Sequence, residues 1–346
     1  MGDPTLHDVA ARAGVSIKTV SNVLRGVRGK VSTATAERVH QAIAELGYRP
    51  NLSARRLRTG KSGVLSLAVP DLRNPYFSEV ATAMIRAARA VGHTLLIEET
   101  GGDPEVELHA AEGLGDPMIS GVVLAPLTVD PERLAGRARP VPLVLLGEHD
   151  GDGDCDHVTF DNLTASREMT GHLIARGYRR IAVVGRQEGP VQAAAVAERR
   201  LAGHREALAA AGLPQDPRLA PALPASPAGY GKSAGMESAG ALLDGGPPPD
   251  ALYCFADVLA VGALRAAHER GLRVPDDLGL AGFDGIEEGR FTIPTLTTVV
   301  PDFADMATRA ITALIERIDT DGPVGHRDIV CRHELAARES TLPKRA

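Results

Sequence analysis

The sequence predicts a multidomain chain: an all-α helix-turn-helix head followed by an α/β core of two lobes built on parallel sheets. Three observations predict this. Helical periodicity punctuated by glycine fills the first fifty residues. From Gly63 onward, short apolar runs alternate with amphipathic helical stretches. Charge divides the chain at the same place: residues 1–61 hold eleven Lys/Arg against four Asp/Glu, a balance of +7, while the remainder holds 27 against 40, a balance of −13. A basic head on an acidic body is the electrostatic footprint of a nucleic-acid-binding arm, although a solvated basic tail has the same composition.

At 346 residues the chain is too long for one ordinary core. Its 44% hydrophobic and 24% charged content is that of a soluble globular protein. No apolar run reaches the length of a membrane span, and the opening "MGDPTLHDVAARAG" lacks the basic-then-apolar pattern of an export signal. The three cysteines, Cys155, Cys254 and Cys331, are odd in number and far apart. That spacing fits a reducing cytoplasm and argues against a disulfide framework or a zinc site. No metal and no cofactor is therefore expected, and no membrane partner.

In the head, Thr5 and Asp8 form a loose capping box, and Leu6, Val9, Ala10 and Ala13 follow at helical spacing. Gly14 ends that helix. Ser16 can cap the next by accepting the amide of Lys18 or Thr19. Val20, Val23 and Leu24 are its apolar stripe; Lys18, Ser21, Asn22 and Arg25 share the other face. A third helix starts near Ser32 or Thr33, buries Ala36, Val39, Ile43 and Leu46, and closes at Gly47. Two short helices joined by a Gly-containing turn, with a third completing the core, are a helix-turn-helix. The second helix can enter a DNA major groove: Lys18 can donate to guanine, Asn22 can pair with adenine, and Ile17 can meet a thymine methyl. A solvated amphipathic helix shows the same pattern; the basic composition and short turn favour DNA.

The next stretch, "YRPNLSARRLRTGKSG" at 48–63, places Asn51 as a cap after Pro50 and predicts a helix of about two turns, too short to be stable alone. Arg55, Arg56 and Arg58 surround Leu57. The arginines suit phosphates and the leucine suits a minor-groove wedge; a basic linker with an incidental leucine is equally consistent.

In the core, "VLSLAVP", "TLLIEE", "GVVLAPL" and "PLVLLG" read as buried strands, with helices at 75–91 and 104–114 between them. After "HVTFDN" a second series begins: helix 162–176, strand "RIAVVG", helix 197–211, strand "ALYCFAD", helix 257–270 and strand "LGLAGFD". Strand–helix alternation in two successive lobes implies parallel sheets, and "DGGPPPD" at 244–250 is a surface loop. Ligands of open α/β sheets sit beyond the carboxyl ends of the strands. Asn74, Tyr76 and Phe77 fall there in the first lobe; Arg199, Arg200, Asp257 and Asp284 fall there in the second. Aromatic faces with charged partners suit a polar metabolite such as a sugar. Each also has a plain structural reading: Phe77 as core, Asp257 as a helix cap, Arg200 as surface.

The stretches "TLHDVAARAGVSIKTVSNVL", "VSTATAERVHQAIAELGYRPN" and "ARRL", and further on "NPYF", "RRLAGHREAL", "FADVLAVGALRAAHERGLRVPDDLGLAGFD" and "PTLTTV", resemble the LacI/GalR family of bacterial transcriptional repressors. The resemblance runs through nearly the whole chain. It implies Ile17, Lys18 and Asn22 as base readers and Leu57 as an intercalator inserted jointly with its copy in a second subunit. The residues expected at double-stranded DNA are Thr5, Ser16, Ile17, Lys18, Thr19, Ser21, Asn22, Arg25, Asn51, Ala54, Arg55 and Leu57. The core is implied to be similar to periplasmic sugar-binding proteins, its effector held by Asn74, Tyr76, Phe77, Arg200, Phe255, Asp257 and Asp284. The domains implied are 1–49 (head), 50–61 (hinge helix), 62–160 with 292–323 (first lobe) and 161–291 with 324–346 (second lobe), with the chain crossing near Asp161, Phe291 and Pro323. Three positions depart from the family: Asn22 where Arg is common, Ala256 where Asn is common, and "LGEH" at 146–149 in place of an Asp-Arg ending.

A homodimer on a pseudo-palindromic operator is expected, because one head reads a half-site. No apolar heptads follow Ala336, so no coiled-coil tail is expected. An enzyme is not expected: "GYGKS" and "RTGKS" lack the first glycine of a phosphate-binding loop, and "AGFDG" lacks the serine of a nucleophile elbow.

Overall fold

The computed structural model describes residues 4–24, 31–47, 63–148, 155–188, 192–224, 230–320, 322 and 324–341. It divides into two compact units, Met1–Ser62 and Gly63–Ala346. The expected hinge helix, with Asn51, Ala54, Arg55 and Leu57, lies outside the described residues, as does Arg25.

The head is three helices: α1 (Leu6–Ala13), α2 (Ile17–Leu24) and α3 (Thr33–Leu46). Thr5 caps α1 through a complete capping box, its amide donating to Asp8 Oδ2 at 2.7 Å and its Oγ1 accepting the Asp8 amide at 3.3 Å. Gly14 stops α1 at φ 64°, a left-handed conformation that glycine adopts without a Cβ clash. Ser16 caps α2, accepting the amide of Thr19 at 3.1 Å. Val9, Ala10, Ala13, Val20, Val39 and Ala42 form the buried centre, with Val23, Leu24, Ile43 and Leu46 packed against it. The apolar stripes read from the sequence converge on one small core except at Ala36, which stays half-buried outside it while Ala42 is buried within.

The core unit contains two sheets. The first has the order β12-β5-β4-β3-β1-β2, all parallel, from β1 (Val64–Val69), β2 (Thr94–Glu99), β3 (Ile119–Leu124), β4 (Leu143–Leu146), β5 (Asp156–Phe160) and β12 (Asp328–Cys331). Helices α4 (Pro75–Ala90), α5 (Pro104–Ala111) and α6 (Pro131–Ala135) lie in its connections. The second sheet has the order β13-β11-β10-β9-β6, from β6 (Ile181–Val184), β9 (Ala251–Cys254), β10 (Gly279–Phe283), β11 (Thr297–Pro301) and β13 (His333–Ala336), with only β13 antiparallel. Its helices are α7 (Asn162–Ala175), α8 (Gln192–Ala210), α9 (Lys232–Asp244) and α10 (Asp257–Glu269); α11 (Phe303–Asp319) returns to the first sheet. A short pair, β7 (Arg186–Glu188) and β8 (Ala222–Pro224), stands apart.

Each sheet is covered on both faces, as parallel sheets must be. On the first, Leu65, Leu67 and Val69 pack toward α4 and α11, while Val64 and Ala68 pack toward α5. On the second, Leu252 and Leu280 pack with α9 and α10, while Tyr253, Ala281 and Phe283 pack with α7 and α8. "TLLIEE" departs from its reading as a buried strand: β2 is the sheet's edge, and Leu96 and Ile97 are exposed. Apolar composition reports a strand here, not its position in the sheet.

The lobe boundaries also shift. The chain leaves the first sheet at Asp161, as expected, but returns only after β11 and crosses again only after β12. β11 pairs with β10 from Ala281↔Thr297, so residues 292–301 belong to the second lobe. β12 pairs with β5 from Asp328↔His157, so residues 324–331 belong to the first. A strand must complete its ladder before the chain can change lobes, which moves the second and third crossings from Phe291 and Pro323 to Asp302 and Arg332.

Candidate effector cleft and nucleic-acid head

The head presents the first turn of α2. Ser16, Ile17 and Lys18 are exposed, Thr19, Ser21 and Asn22 are half-buried, and Thr5 is exposed beside Asp8. Ile17 is one of the few large apolar side chains left to solvent, at 39% exposure, although the head core is close by. An apolar residue held beside a lysine at a helix start suits a groove that carries both methyl groups and base acceptors. Hydrogen bonds to Thr5 hold the Asp8 carboxyl below its usual range, so the cap is intact at neutral pH.

In the core unit, a cleft of about 1020 Å³, part of it open to solvent, lies at the carboxyl ends of the strands of both sheets. In the first sheet, strand order reverses between β1 and β3, and the loops that follow these two strands diverge there to leave a crevice. Pro70, Asp71, Asn74, Tyr76 and Phe77 line it after β1; Ala125, Pro126 and Leu127 line it after β3. Leu146, Gly147 and Glu148 follow from β4; Gln187, Val196, Arg200, Tyr230 and Asp284 come from the second lobe.

Asn74 caps α4, its Oδ1 accepting the Tyr76 amide at 3.1 Å. Pro75 in the first turn fixes the start of the helix, and this turn delivers Tyr76 and Phe77 together. Their rings meet edge to face, centroids 5.0 Å apart, and Tyr76 leans on Phe303 with centroids 5.7 Å apart. Phe77 is thus both partly packed on the core and part of the cleft wall.

Arg200 is 7% exposed. Its Nε donates to Asn162 Oδ1 at 2.9 Å, its Nη1 to the Phe255 carbonyl, and its guanidinium carbon stands 3.4 Å above the Phe283 ring. Arg200 also lines the cleft. Asn162 Nδ2 in turn donates to Glu148 Oε1 at 3.0 Å. A chain of hydrogen bonds therefore runs from Glu148 in the first lobe, through Asn162 just past the first crossing, to Arg200 in the second. Gly203 makes this possible: a Cβ there would lie 2.1 Å from the Leu163 carbonyl oxygen, so α7 and α8 touch backbone to backbone. Ser166 Oγ, one turn on, donates to the Arg200 carbonyl at 2.5 Å.

Asp284 lines the cleft together with this arginine. It follows β10 at φ 115°, a backbone region that side chains other than glycine rarely adopt, and it is 5% exposed. Burial raises its carboxyl to about 7, with Arg200 pulling in the opposite direction. Tyr230 closes the site, its hydroxyl donating to the Gly185 carbonyl at 2.6 Å.

Of the seven residues expected at the effector, the cleft gathers Asn74, Tyr76, Phe77, Arg200 and Asp284. Phe255 and Asp257 stand behind its wall. Phe255 is fully buried and serves through its carbonyl. Asp257 is fully buried, accepts Thr298 Oγ1 at 2.7 Å and the Ile286 amide at 3.0 Å, and makes no cap for its own helix. It pins the turn that carries Asp284. Ala256, at the cap position of α10, has no side chain able to bond there. Asp71, Glu148, Gln187, Tyr230 and Asn162 were not singled out. Glu148 carried a sequence signal in the unusual "LGEH", and Asn162 in its place beside the crossing; Gln187 and Tyr230 come from a segment without a clear period.

No described helix is long and apolar enough to cross a membrane. Residues 5–51 match the family described as bacterial regulatory proteins, lacI family, and residues 170–341 match the periplasmic binding protein-like domain. The chain is 31% identical to the HTH-type transcriptional regulator DegA of Bacillus subtilis, covering 98% of each chain. It is 32% identical to the HTH-type transcriptional repressor CytR of Escherichia coli, covering 97% of this chain and 96% of the relative. Among solved structures, the lac repressor dimer bound to operator and an anti-inducer superposes with a TM-score of 0.79 at 27% identity, over 99% of this chain and all of that one. The CelR–cellobiose complex superposes with a TM-score of 0.70 at 30% identity, over 97% and 99%. The family is regulatory and DNA-binding. This chain belongs to it: it is a LacI-family transcriptional regulator whose DNA binding is controlled by a small ligand.

Proposed function

We propose that the chain is a cytoplasmic, homodimeric repressor of a pseudo-palindromic operator, and that its effector is a sugar held in the cleft without being chemically changed. The observation that carries the effector class is Arg200. It is clamped by Asn162 and the Phe255 carbonyl, stacked on Phe283, and lines the cleft together with Asp284. A cation and a carboxyl that converge on a space walled by Tyr76 and Phe77 match a molecule with hydroxyls on its rim and apolar faces. The cellobiose-bound relative and the operator-bound dimer support the same reading. Glu148, Asn162 and Arg200 connect the two lobes through one hydrogen-bonded chain, so a ligand that engages Arg200 acts on both lobes at once.

The test begins with genomic fragments recovered by the full chain, to define the operator. A panel of mono- and disaccharides is then screened for a rise in melting temperature and for a change in operator affinity. Thermal readouts are needed because the chain has no Trp. One sugar class is expected to do both, and Phe77→Ala is expected to weaken it without unfolding the protein. A chain that responds to no saccharide, yet responds to a non-carbohydrate metabolite through the same residues, refutes the sugar class. Operator affinity should fall steeply with salt; a flat dependence refutes the phosphate-contact role of the head.

A further inference from the structure

At the opposite end of the first sheet, two strands bring together a cluster that the cleft does not use. Cys155, Asp156 and His157 lead into β5, and His326, Arg327 and Asp328 lead into β12. His157 and Asp328 are register partners on these adjacent parallel strands. Residues two apart on a strand share a face, and alternation sorts the six into two sets. Asp156 and Arg327 take one face and join Arg317 of α11. Cys155, His157, His326 and Asp328 take the other.

The geometry of this second set is specific. His326 Nδ1 lies 2.9 Å from the Cys155 carbonyl oxygen. A carbonyl only accepts, so Nδ1 carries the hydrogen and donates. In the neutral ring, Nε2 then holds a lone pair, yet it faces Asp328 Oδ1 at 3.0 Å. Two acceptors at that distance need a cation between them, either a second proton or a metal ion. The same Oδ1 lies 3.5 Å from His157 Nδ1, and the other nitrogen of that ring lies 3.7 Å from Cys155 Sγ. The donor atoms of His157, His326 and Asp328 all fall within 4.8 Å of one another. A tetrahedral ion with Zn–N and Zn–O bonds near 2.0–2.1 Å keeps its ligands about 3.3 Å apart; the two edges at Asp328 Oδ1 bracket that value. The Cys155 carbonyl behind His326 is the outer partner that metal-binding imidazoles characteristically have.

We propose that His157 Nδ1, His326 Nε2 and Asp328 Oδ1 form a binding site for a divalent transition-metal ion of the Zn²⁺ class, with a fourth position for water. Imidazole and carboxylate donors in this number suit such an ion. The spacing of His and Cys along the sequence predicts no metal site, because the ligands come from two strands far apart in the chain and meet only through parallel pairing. An ion here staples β12 to β5. β12 is the edge strand of the sheet and leads directly into the last crossing between lobes.

The test uses the full chain without a histidine tag. Zn²⁺ is titrated against a chromophoric chelator, and Co²⁺ is used as a spectroscopic substitute. One ion per chain and tetrahedral Co²⁺ absorption are expected. The double variant His326→Gln, Asp328→Asn alters side chains that are at least partly exposed, so the fold should persist by circular dichroism. It should weaken Zn²⁺ binding by more than the roughly 100-fold reached when only an outer partner is lost. Cys155→Ala, which removes only the thiol beside His157, should cost about tenfold. If the wild-type chain shows no saturable Zn²⁺ binding, or if the folded double variant binds as tightly as wild type, the cluster is an imidazolium–carboxylate pair and the proposal is wrong.

Discussion

Asp156, at the amino end of the first sheet, and Asp284, at the cleft, are both buried carboxylates, and their surroundings treat them in opposite ways. Asp156 receives bidentate bonds from Arg317 at 2.8 and 2.9 Å and from Arg327 at 2.7 and 3.1 Å. The two guanidiniums overcome the effect of burial and draw its carboxyl down to about 2. Asp284 is drawn down only by the charge of Arg200 and a hydrogen bond from the Asp257 backbone, and burial prevails, raising it to about 7. A carboxylate whose partners are all supplied by the fold is structural. One that the fold buries at a cleft, with its charge only partly compensated, is, on the proposal above, the one offered to a ligand.

The largest expected effect breaks the first half of this comparison. Arg317→Met leaves Asp156 with half its compensation and should cost about 3–5 kcal/mol in denaturant unfolding. In wild type, Asp156 has a folded-state value below its unfolded one. Its contribution to stability is therefore complete above about pH 4 and lost as pH falls toward about 2. The variant should lose that acid dependence, and an unchanged acid limb would show that Arg327 alone carries the site.

Asp284 has the opposite sign. Its folded-state value lies above the unfolded one, so the folded protein holds the proton more tightly, and stability falls as pH rises from about 4 through 7. Asp284→Asn should therefore stabilise the ligand-free protein at pH 8 by on the order of a few kcal/mol and have little effect at pH 4, while weakening the effector. A variant destabilised at both pH values would assign Asp284 a structural role and erase the contrast.

Gly203→Ala tests the packing that brings Asn162 to Arg200. The added methyl must push α7 from α8, at about 1–3 kcal/mol, and should reduce ligand response further than stability alone explains. The smallest effect is in the head: Thr5→Ala removes a capping bond worth about 1 kcal/mol and should lower head stability, read by amide exchange, without changing core melting.

Legibility followed the same division. The head was readable because caps, turns and apolar stripes are local, and α1 to α3 are specified within a few residues of themselves. Five cleft residues were readable because carboxyl ends of strands follow from strand–helix alternation. Asp257 was misplaced because the sequence gives its position at a strand end but not whether Thr298 and Ile286 will consume its oxygens. The exposure of β2, the crossings at Asp302 and Arg332, and the meeting of His157 with Asp328 depend on which strand pairs with which. That is decided by contacts between distant segments, and no local period records it.

The position of those crossings has a genetic consequence. Residues 302–331 complete the first lobe and residues 333–341 complete the second, so neither lobe is encoded by one uninterrupted stretch. A stop codon at or just after 302 would deprive both halves of the sensor at once, removing α11 and β12 from the first lobe and β13 from the second. Partial alleles that keep a working second lobe should therefore not arise from late truncation. Recombination that exchanges a whole lobe between relatives must replace two segments together, whereas the cleft lining, Pro70 to Asp284, lies in one stretch before residue 302.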